Sequence, residues 1–240
     1  MLRSALLASA VGAMPSSAQE GFIERFKSLN SDRWYVAEYD FSHPSFDTDW
    51  RKRNARIDDG LQLKLLPHVM GQNGFAGASI RTHKTLHYGD YSAKMQAARG
   101  DGLVTGVFTY TGPYYGTRHD EIDIEILGRD TTKLHVAWFV DGKLNQRDIP
   151  LGFDAADCIH TYRFKWQEDR IAWLVNDQKV FETTTRDAPL PKVAGRFYAN
   201  LWAADESISN WAGHTRPDQR ASALIQELRF EPLKEQELTH

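Results

Sequence analysis

One cysteine in 240 residues, Cys158, excludes any intrachain disulfide, so the fold must stand on its apolar core. Burial as a small hydrophobe is the expected fate of that thiol, and the negative charge of Asp154 and Asp157 opposes a reactive thiolate. Charge of one sign is also lacking: 29 Lys and Arg face 32 Asp and Glu, for a net charge of −3 and a pI near 6.3. That balance gives no reason to expect nucleic acid or an anionic membrane as a partner. Past the amino terminus no apolar run approaches the ~20 residues that cross a bilayer. Helical periodicity is almost absent, as are internal repeats and linker-like stretches. A single all-β domain is therefore the simplest organisation.

Aromatic residues make up 12% of the chain, with seven Trp and nine Tyr. Such rings fill a sandwich core or stack on sugars, and composition does not separate the two uses. Met1-Leu2-Arg3, an apolar run from Ser4 to Met14, and small residues at Ser16 and Ala18 form the pattern of a secretory signal cleaved after Ala18. Residues 1–18 are accordingly read as a signal peptide and the mature protein as secreted, the alternative being a cytoplasmic leader. Further on, the turn signal Asp58-Asp59-Gly60 precedes an alternating run, Leu61 to Leu65. Tyr88 to Ala97, Leu103 to Tyr110, Lys133 to Val140, Thr161 to Trp166, Ile171 to Val175 and Lys179 to Thr183 read as further strands. Asp141-Gly142 and Asn176-Asp177 read as hairpin turns. Trp50 to Arg56 reads as extended, the Gly-rich Met70 to Ala78 as a loop, and Asp205 to Gly213 as one helical turn. Ala223 to Phe230 closes the domain, and residues 233–240 form a charged tail. Short strands with turns every ~8–12 residues predict a sandwich, jelly roll or barrel.

The chemically unusual stretch runs from His119 to Gly128, where Glu121, Asp123 and Glu125 alternate with Ile122, Ile124 and Ile126. Period-two alternation of this kind is a strand with three carboxylates on one face and three isoleucines on the other. Like charges so close raise one another's pKa and cost stability. At ~3.3 Å per residue the Cα atoms of Glu121 and Glu125 lie about 13 Å apart. Side chains leaning inward bring the carboxyls to about 5–6 Å, the spacing used by the two acids of retaining glycoside hydrolysis. The plainer reading is an edge strand whose acidic face is solvated or holds a cation, and alternation alone leaves both open.

The flanks add a resemblance. The block from Phe108 to Lys133, with Gly112-Pro113-Tyr114-Tyr115-Gly116 ahead of the acids and Thr131-Thr132 behind, resembles glycoside hydrolase family 16. Within it the match is to the bacterial lichenase (endo-1,3-1,4-β-glucanase) and succinoglycan endo-glycanase branch. Leu151-Gly152-Phe153-Asp154, His160-Thr161-Tyr162, Phe164, Trp166, Asn200-Leu201-Trp202 and Trp211 match in family order, covering roughly Phe41 to Phe230. The resemblance implies a concanavalin A-like β-jelly roll, two curved antiparallel sheets with a concave cleft, as a single catalytic domain over residues 19–232. It implies Glu121 as nucleophile, Glu125 as acid/base and Asp123 as modulator. For substrate contact it implies Arg81, Phe108, Tyr110, His119, Asn200, Trp202 and Trp211, positions that ordinary sandwich packing also explains. The Glu-x-Asp-x-Glu spacing lacks the extra residue of many laminarinases and agarases and points away from those specificities.

The expected activity is that of a retaining endo-β-glycanase, monomeric, acting on a 1,3-1,4-β-glucan or on a succinoglycan-like acidic exopolysaccharide. A transglycosylase of the same fold and a non-catalytic carbohydrate-binding jelly roll are the alternatives; the second predicts loss of a catalytic carboxylate, and both are present. Three departures from lichenases bear on this. His119 replaces a Trp, and Ser79 replaces a Glu two residues ahead of Arg81, so Arg81, Lys84, Arg118 and His119 are expected to make the cleft basic and receptive to acidic sugars. Thr48 and Gly77 stand at the positions of the lichenase disulfide. The family's structural calcium uses backbone oxygens, one of which Gly60 offers, and an Asp that is Gln226 here. Calcium wants several oxygen ligands, so neither cofactor nor metal is expected.

Overall fold

The structure, a computed structural model, describes residues 19–233. The expected signal segment and residues 234–240 of the expected tail lie outside the described residues. In chain order the strands are β1 (Phe22–Glu24), β2 (Trp34–Val36), β3 (Thr48–Trp50), β4 (Ala55–Ile57), β5 (Leu61–Pro67), β6 (Phe75–Thr82), β7 (Gly89–Gln96) and β8 (Leu103–Thr111). They continue as β9 (Asp120–Leu127), β10 (Lys133–Val140), β11 (Lys143–Pro150), β12 (His160–Trp166), β13 (Arg170–Val175), β14 (Gln178–Thr184), β15 (Arg196–Ala203) and β16 (Ala221–Pro232). One sheet has the order β11-β10-β9-β8-β15-β6, with β2 beside β6; the other has the order β14-β13-β12-β7-β16-β5, with β4 beside β5 and β1 beside β16. A short β5–β6 ladder joins them along one side, and every pairing is antiparallel except β3 with β6. This is the jelly-roll sandwich that the strand spacing and the resemblance imply.

Alternation decides which residues fill the space between the sheets. Ile122, Ile124 and Ile126 are almost fully buried there beside Val107, Leu134 and Val136, facing Tyr162, Phe164 and Trp173 of the other sheet. Each such isoleucine contributes ~1.5–3 kcal/mol relative to exposure, which fixes the register of β9, because a one-residue slip would turn all three into solvent. A tryptophan pins it further: Trp173 Nε1 donates to the Asp123 carbonyl across the core at 3.0 Å. At the strand's start, Asp120 Oδ2 accepts from the backbone amides of Lys192 at 2.7 Å and Val193 at 3.1 Å, and Oδ1 from that of Asp141 at 3.1 Å.

The turn chemistry holds. Asn176 (φ 48°) with Asp177 (φ 65°), and Asp141 (φ 50°) with Gly142 (φ 75°), are left-handed pairs, as two-residue hairpins between twisted strands need. One helical turn, α1 (Ser209–Ala212), follows a 3₁₀ turn capped by Asp205, whose side chain accepts from Ser207 N at 2.8 Å. Among the described residues no helix is long and apolar enough to cross a membrane.

Three expectations need correction. The Gly-rich loop ends sooner, since Phe75 to Ala78 already belong to β6, where small residues let β3 and β15 pack closely. Trp50 to Arg56 is broken by a 3₁₀ turn at Lys52–Asn54. Cys158 is exposed, not buried. It sits in the loop before β12, outside the alternation that sends Tyr162, Phe164 and Trp166 inward, and its Sγ lies 3.1 Å from His160 Nε2.

Candidate active site

Antiparallel registers arrange the outer face of the β9 sheet in transverse rows, because residues opposite one another share a face. Glu121 lies between Tyr110 on β8 and Phe139 on β10, Asp123 between Phe108 and Ala137, and Glu125 between Gly106 and His135. Across β15 and β6 the rows continue with Arg196 beside Tyr110, Tyr198 beside Phe108 and Arg81, and Asn200 beside Gly106 and Ser79. Gly106 is needed for this, since a Cβ there would meet Asn200 Oδ1 at 2.7 Å. The acidic strand is thus central in its sheet, with β10 and β11 on one side and β8, β15, β6 and β2 on the other, which disposes of the solvated-edge reading.

The three acids differ in environment. Burial and the negative charge of Glu121 push the Glu125 carboxyl up to about 8. Asp123, 3% exposed, is held well above the ordinary carboxylate range by burial and then by the charges of Glu121 and Glu125. Near neutral pH Asp123 and Glu125 therefore keep their protons. His119 Nε2 lies 2.5 Å from Glu121 Oε2, with its ring stacked on Phe139 at 4.6 Å.

Buried polar atoms without partners gather on this face. Asp123 Oδ2, Arg196 Nε, Asn200 Oδ1 and Trp211 Nε1 are four of the six such side-chain atoms among the described residues. Native interiors rarely leave such groups unpaired, and sugar hydroxyls, both donors and acceptors, are suited to satisfy them.

The other expected contacts fall in three places. Phe108 stacks on Tyr198 at 4.9 Å, and Tyr110 stands edge-on to His119 at 5.2 Å, its hydroxyl pKa raised by burial and by Glu121. Arg81 lies 4.4 Å over the Tyr35 ring and 5.8 Å from that of Tyr115. Trp202 is 5% exposed, stacked on Phe46 at 3.9 Å, with Trp211 at 6.1 Å. Trp202 therefore packs beneath the Phe41–Phe46 loop, and Trp211 meets the acids through His135, 5.4 Å away. The basic cleft is smaller than expected: Arg118 bonds Asp120 Oδ2 at 2.9 Å on the opposite face of β9.

Several residues were not singled out by sequence. His135, opposite Glu125 and bonded to Asp148 Oδ1 at 2.6 Å, has a polar side chain inside an otherwise apolar strand, a signal that was available. Tyr35, Tyr115, Tyr198 and Arg196 form a cluster in which Arg196 lies 3.9 Å over the Tyr115 ring and the Tyr115 and Tyr198 hydroxyls meet at 2.5 Å. His43, on the loop above, lies within electrostatic reach of Glu121 and His119, and burial lowers its pKa. Asp49 holds that loop, accepting from Phe41 N at 3.1 Å and Asn73 Nδ2 at 2.8 Å on one oxygen and from Gln72 N at 3.0 Å on the other.

Residues 42–220 match the family model Glycosyl hydrolases family 16. The chain belongs to that family. It is 38% identical over 200 residues to a beta-glucanase of Bacillus amyloliquefaciens, covering 82% of each chain, and 36% identical over 209 residues to that of Bacillus licheniformis, covering 85% of each. The solved Bacillus licheniformis beta-glucanase superposes with a TM-score of 0.84 at 33% identity, over 90% of this chain and 100% of that one. A lichenase from a mouse hindgut metagenome superposes with a TM-score of 0.84 at 32% identity, over 89% of this chain and 99% of that one. The protein is therefore a glycoside hydrolase of family 16.

The family's calcium does not fit this member. Gln226 forms a bulge in β16 against Gly60, and the hollow there is lined by Arg25, Lys27 and Lys94 as well as Asp59 and Glu227. Arg25 Nε takes Glu227 at 3.0 Å, and among the described residues no three His, Cys, Asp or Glu are grouped to hold a metal. Where the resemblance places a disulfide, Thr48 and Gly77 do touch: a Cβ on Gly77 would lie 2.6 Å from Thr48 Cγ2. The Thr48 hydroxyl instead clasps β15, donating to Ala203 O at 3.0 Å and accepting from Ala203 N at 2.8 Å.

Proposed function

We propose that the protein is a retaining endo-β-glycanase that cleaves internal β-glucosidic bonds by double displacement, with a 1,3-1,4-β-glucan as substrate. One observation carries this reading: beside Glu121, on the same face of one strand, Glu125 has a pKa of about 8. Retaining hydrolysis needs that pair, one ionised and one protonated. Glu121 attacks the anomeric carbon, the glycosidic C–O bond breaks, and the leaving oxygen takes the Glu125 proton. The ester so formed removes the negative charge of Glu121, one of the two causes holding the Glu125 pKa up, and Glu125 becomes a competent base. It then takes a proton from water, whose oxygen bonds the anomeric carbon as the ester breaks. Asp123, buried between them, tunes both. Arg81, Phe108, Tyr110 and Asn200 line the sugar path, while Trp202 and Trp211 support its far side.

The substrate class rests on the lichenase relatives and on the regular Glu-x-Asp-x-Glu strand. An acidic exopolysaccharide is the second reading, favoured by a specific feature: Arg81 and Arg196 flank Tyr115, and neither has a carboxylate partner among the described residues. Secretion as a single catalytic domain, residues 19–232, after removal of residues 1–18 belongs to the same proposal.

Glu121→Ala tests the assignment. Hydrolysis should vanish while oligosaccharide binding persists, and azide should restore cleavage of an activated aryl glycoside, giving a glycosyl azide of inverted configuration. Retained hydrolysis would remove Glu121 from the role. Barley β-glucan, lichenan, laminarin and succinoglycan assayed side by side separate the two substrate readings.

A further inference from the structure

We propose that His119 is a positioning residue for the nucleophile: its Nε2–H holds one carboxylate oxygen of Glu121 and fixes its rotamer. The inference rests on the reading of Glu121 as nucleophile. It assigns His119 to the reacting group, where the resemblance to lichenases implies a sugar contact.

The geometry is specific. Nε2 lies 2.5 Å from Glu121 Oε2. An ionised carboxylate only accepts, so Nε2 carries a proton in this contact whether the ring is neutral or cationic. The donor direction is set by packing on both sides. The ring stacks on Phe139 at 4.6 Å and 17°, meets the Tyr110 edge at 5.2 Å, and its backbone carbonyl accepts from Gly142 N at 2.9 Å. A pre-aimed, charge-assisted donor of this kind costs no reorganisation during reaction.

One consequence follows for the chemistry. With Oε2 held, Oε1 is the oxygen left to attack the anomeric carbon. The other groups near the pair are Asp123 and Glu125 along β9, Tyr110 from β8 and His43 from the loop above. Arg118 and Asp120 pair with each other on the opposite face.

The experiment measures nucleophile reactivity without the acid step, using inactivation by 2-deoxy-2-fluoro-β-cellobiosyl fluoride, whose leaving group needs little protonation. His119→Phe keeps the aromatic stack and removes the donor. Inactivation should slow about 10-fold, the scale expected for one charged hydrogen bond. His119→Gln, which restores an N–H donor without the ring, should recover most of the rate. An unchanged rate in His119→Phe, or a His119→Gln as slow as His119→Phe, would overturn the proposal. If the phenylalanine variant does not fold, His119→Met against His119→Gln makes the same comparison. Peptide mapping of the label separates the two failures: a label on another residue would strike the Glu121 assignment itself, whereas a label on Glu121 at wild-type rate strikes only His119.

Discussion

Replacing Glu125 by Gln removes a buried group that must lose its proton as pH rises, and the consequences for stability and for rate have opposite signs. Folding raises the Glu125 pKa from 4.5 to about 8, so between those values the folded state holds a proton that the unfolded chain has released. Stability in this window falls as pH rises, with a slope approaching ~1.4 kcal/mol per pH unit. The full shift corresponds to ~5 kcal/mol as an upper bound, and the partly open carboxyl reduces the expected cost to ~2–3 kcal/mol. Glu125→Gln should therefore match the wild type at pH 5 and exceed it by ~2–3 kcal/mol at pH 8.5. Urea denaturation at pH 5, 6.5, 8 and 8.5 reads the difference. The same change should slow polysaccharide hydrolysis by ~10²–10⁴-fold, the usual range for loss of a general acid. A dinitrophenyl glycoside should suffer far less, because its leaving group needs no proton. For the wild type, kcat/KM should fall as pH rises through about 8. A stability difference that is flat with pH, or equal slowing of both substrates, would refute the reasoning.

Other perturbations probe the scaffold. Asp49→Asn puts an amide where buried donors converge, and should lower stability by ~2–4 kcal/mol and raise KM as the Phe41–Phe46 loop loosens. Because hydrogen bonds hold the Asp49 pKa below the ordinary value against the opposing effect of burial, its contribution is present above the unfolded pKa and lost as pH falls through the folded one. Trp173→Phe removes the indole donor to the Asp123 carbonyl and leaves a void beside it, and should cost ~1–3 kcal/mol together with a fall in kcat larger than any change in KM. For metal removal, the melting temperature should be the same in EDTA as in millimolar calcium, since the Arg25, Lys27 and Lys94 side chains oppose a cation at the Gly60–Gln226 bulge. A calcium-dependent rise of several degrees would contradict this.

Much of the fold was legible because its signals are local. Alternation placed β5, β7, β8, β9, β10, β12, β13 and β14, and the Asp-Gly and Asn-Asp turns marked their hairpins. Strand β11 escaped because it is a largely exposed edge strand of Lys, Asn, Gln, Arg and Asp with no buried face to impose a period. Strand β15 is buried on both faces over its second half, so its run Ala-Asn-Leu-Trp-Ala carries no alternation either. Cys158 is exposed because its loop carries Asp154 and Asp157, charges that hold the segment at the surface whatever the thiol would prefer.

By itself the sequence determined that Glu121, Asp123 and Glu125 share a face and that the isoleucines between them are core, since side-chain direction along a strand needs only the two-residue period. It also carried the family, because the flanking residues arrive in order. The resemblance implied Glu125 as the acid, but what holds its proton is tertiary, since a pKa depends on burial and on charges brought close by the fold. The same holds for His119, which the chain places two residues from Glu121 and the packing of Phe139 and Tyr110 turns into its hydrogen-bond donor. It holds too for Trp202, for which the resemblance implied a sugar contact ahead of packing and which Phe46 covers. Contacts between residues distant in the chain are set by how two sheets meet, and no local pattern encodes that meeting.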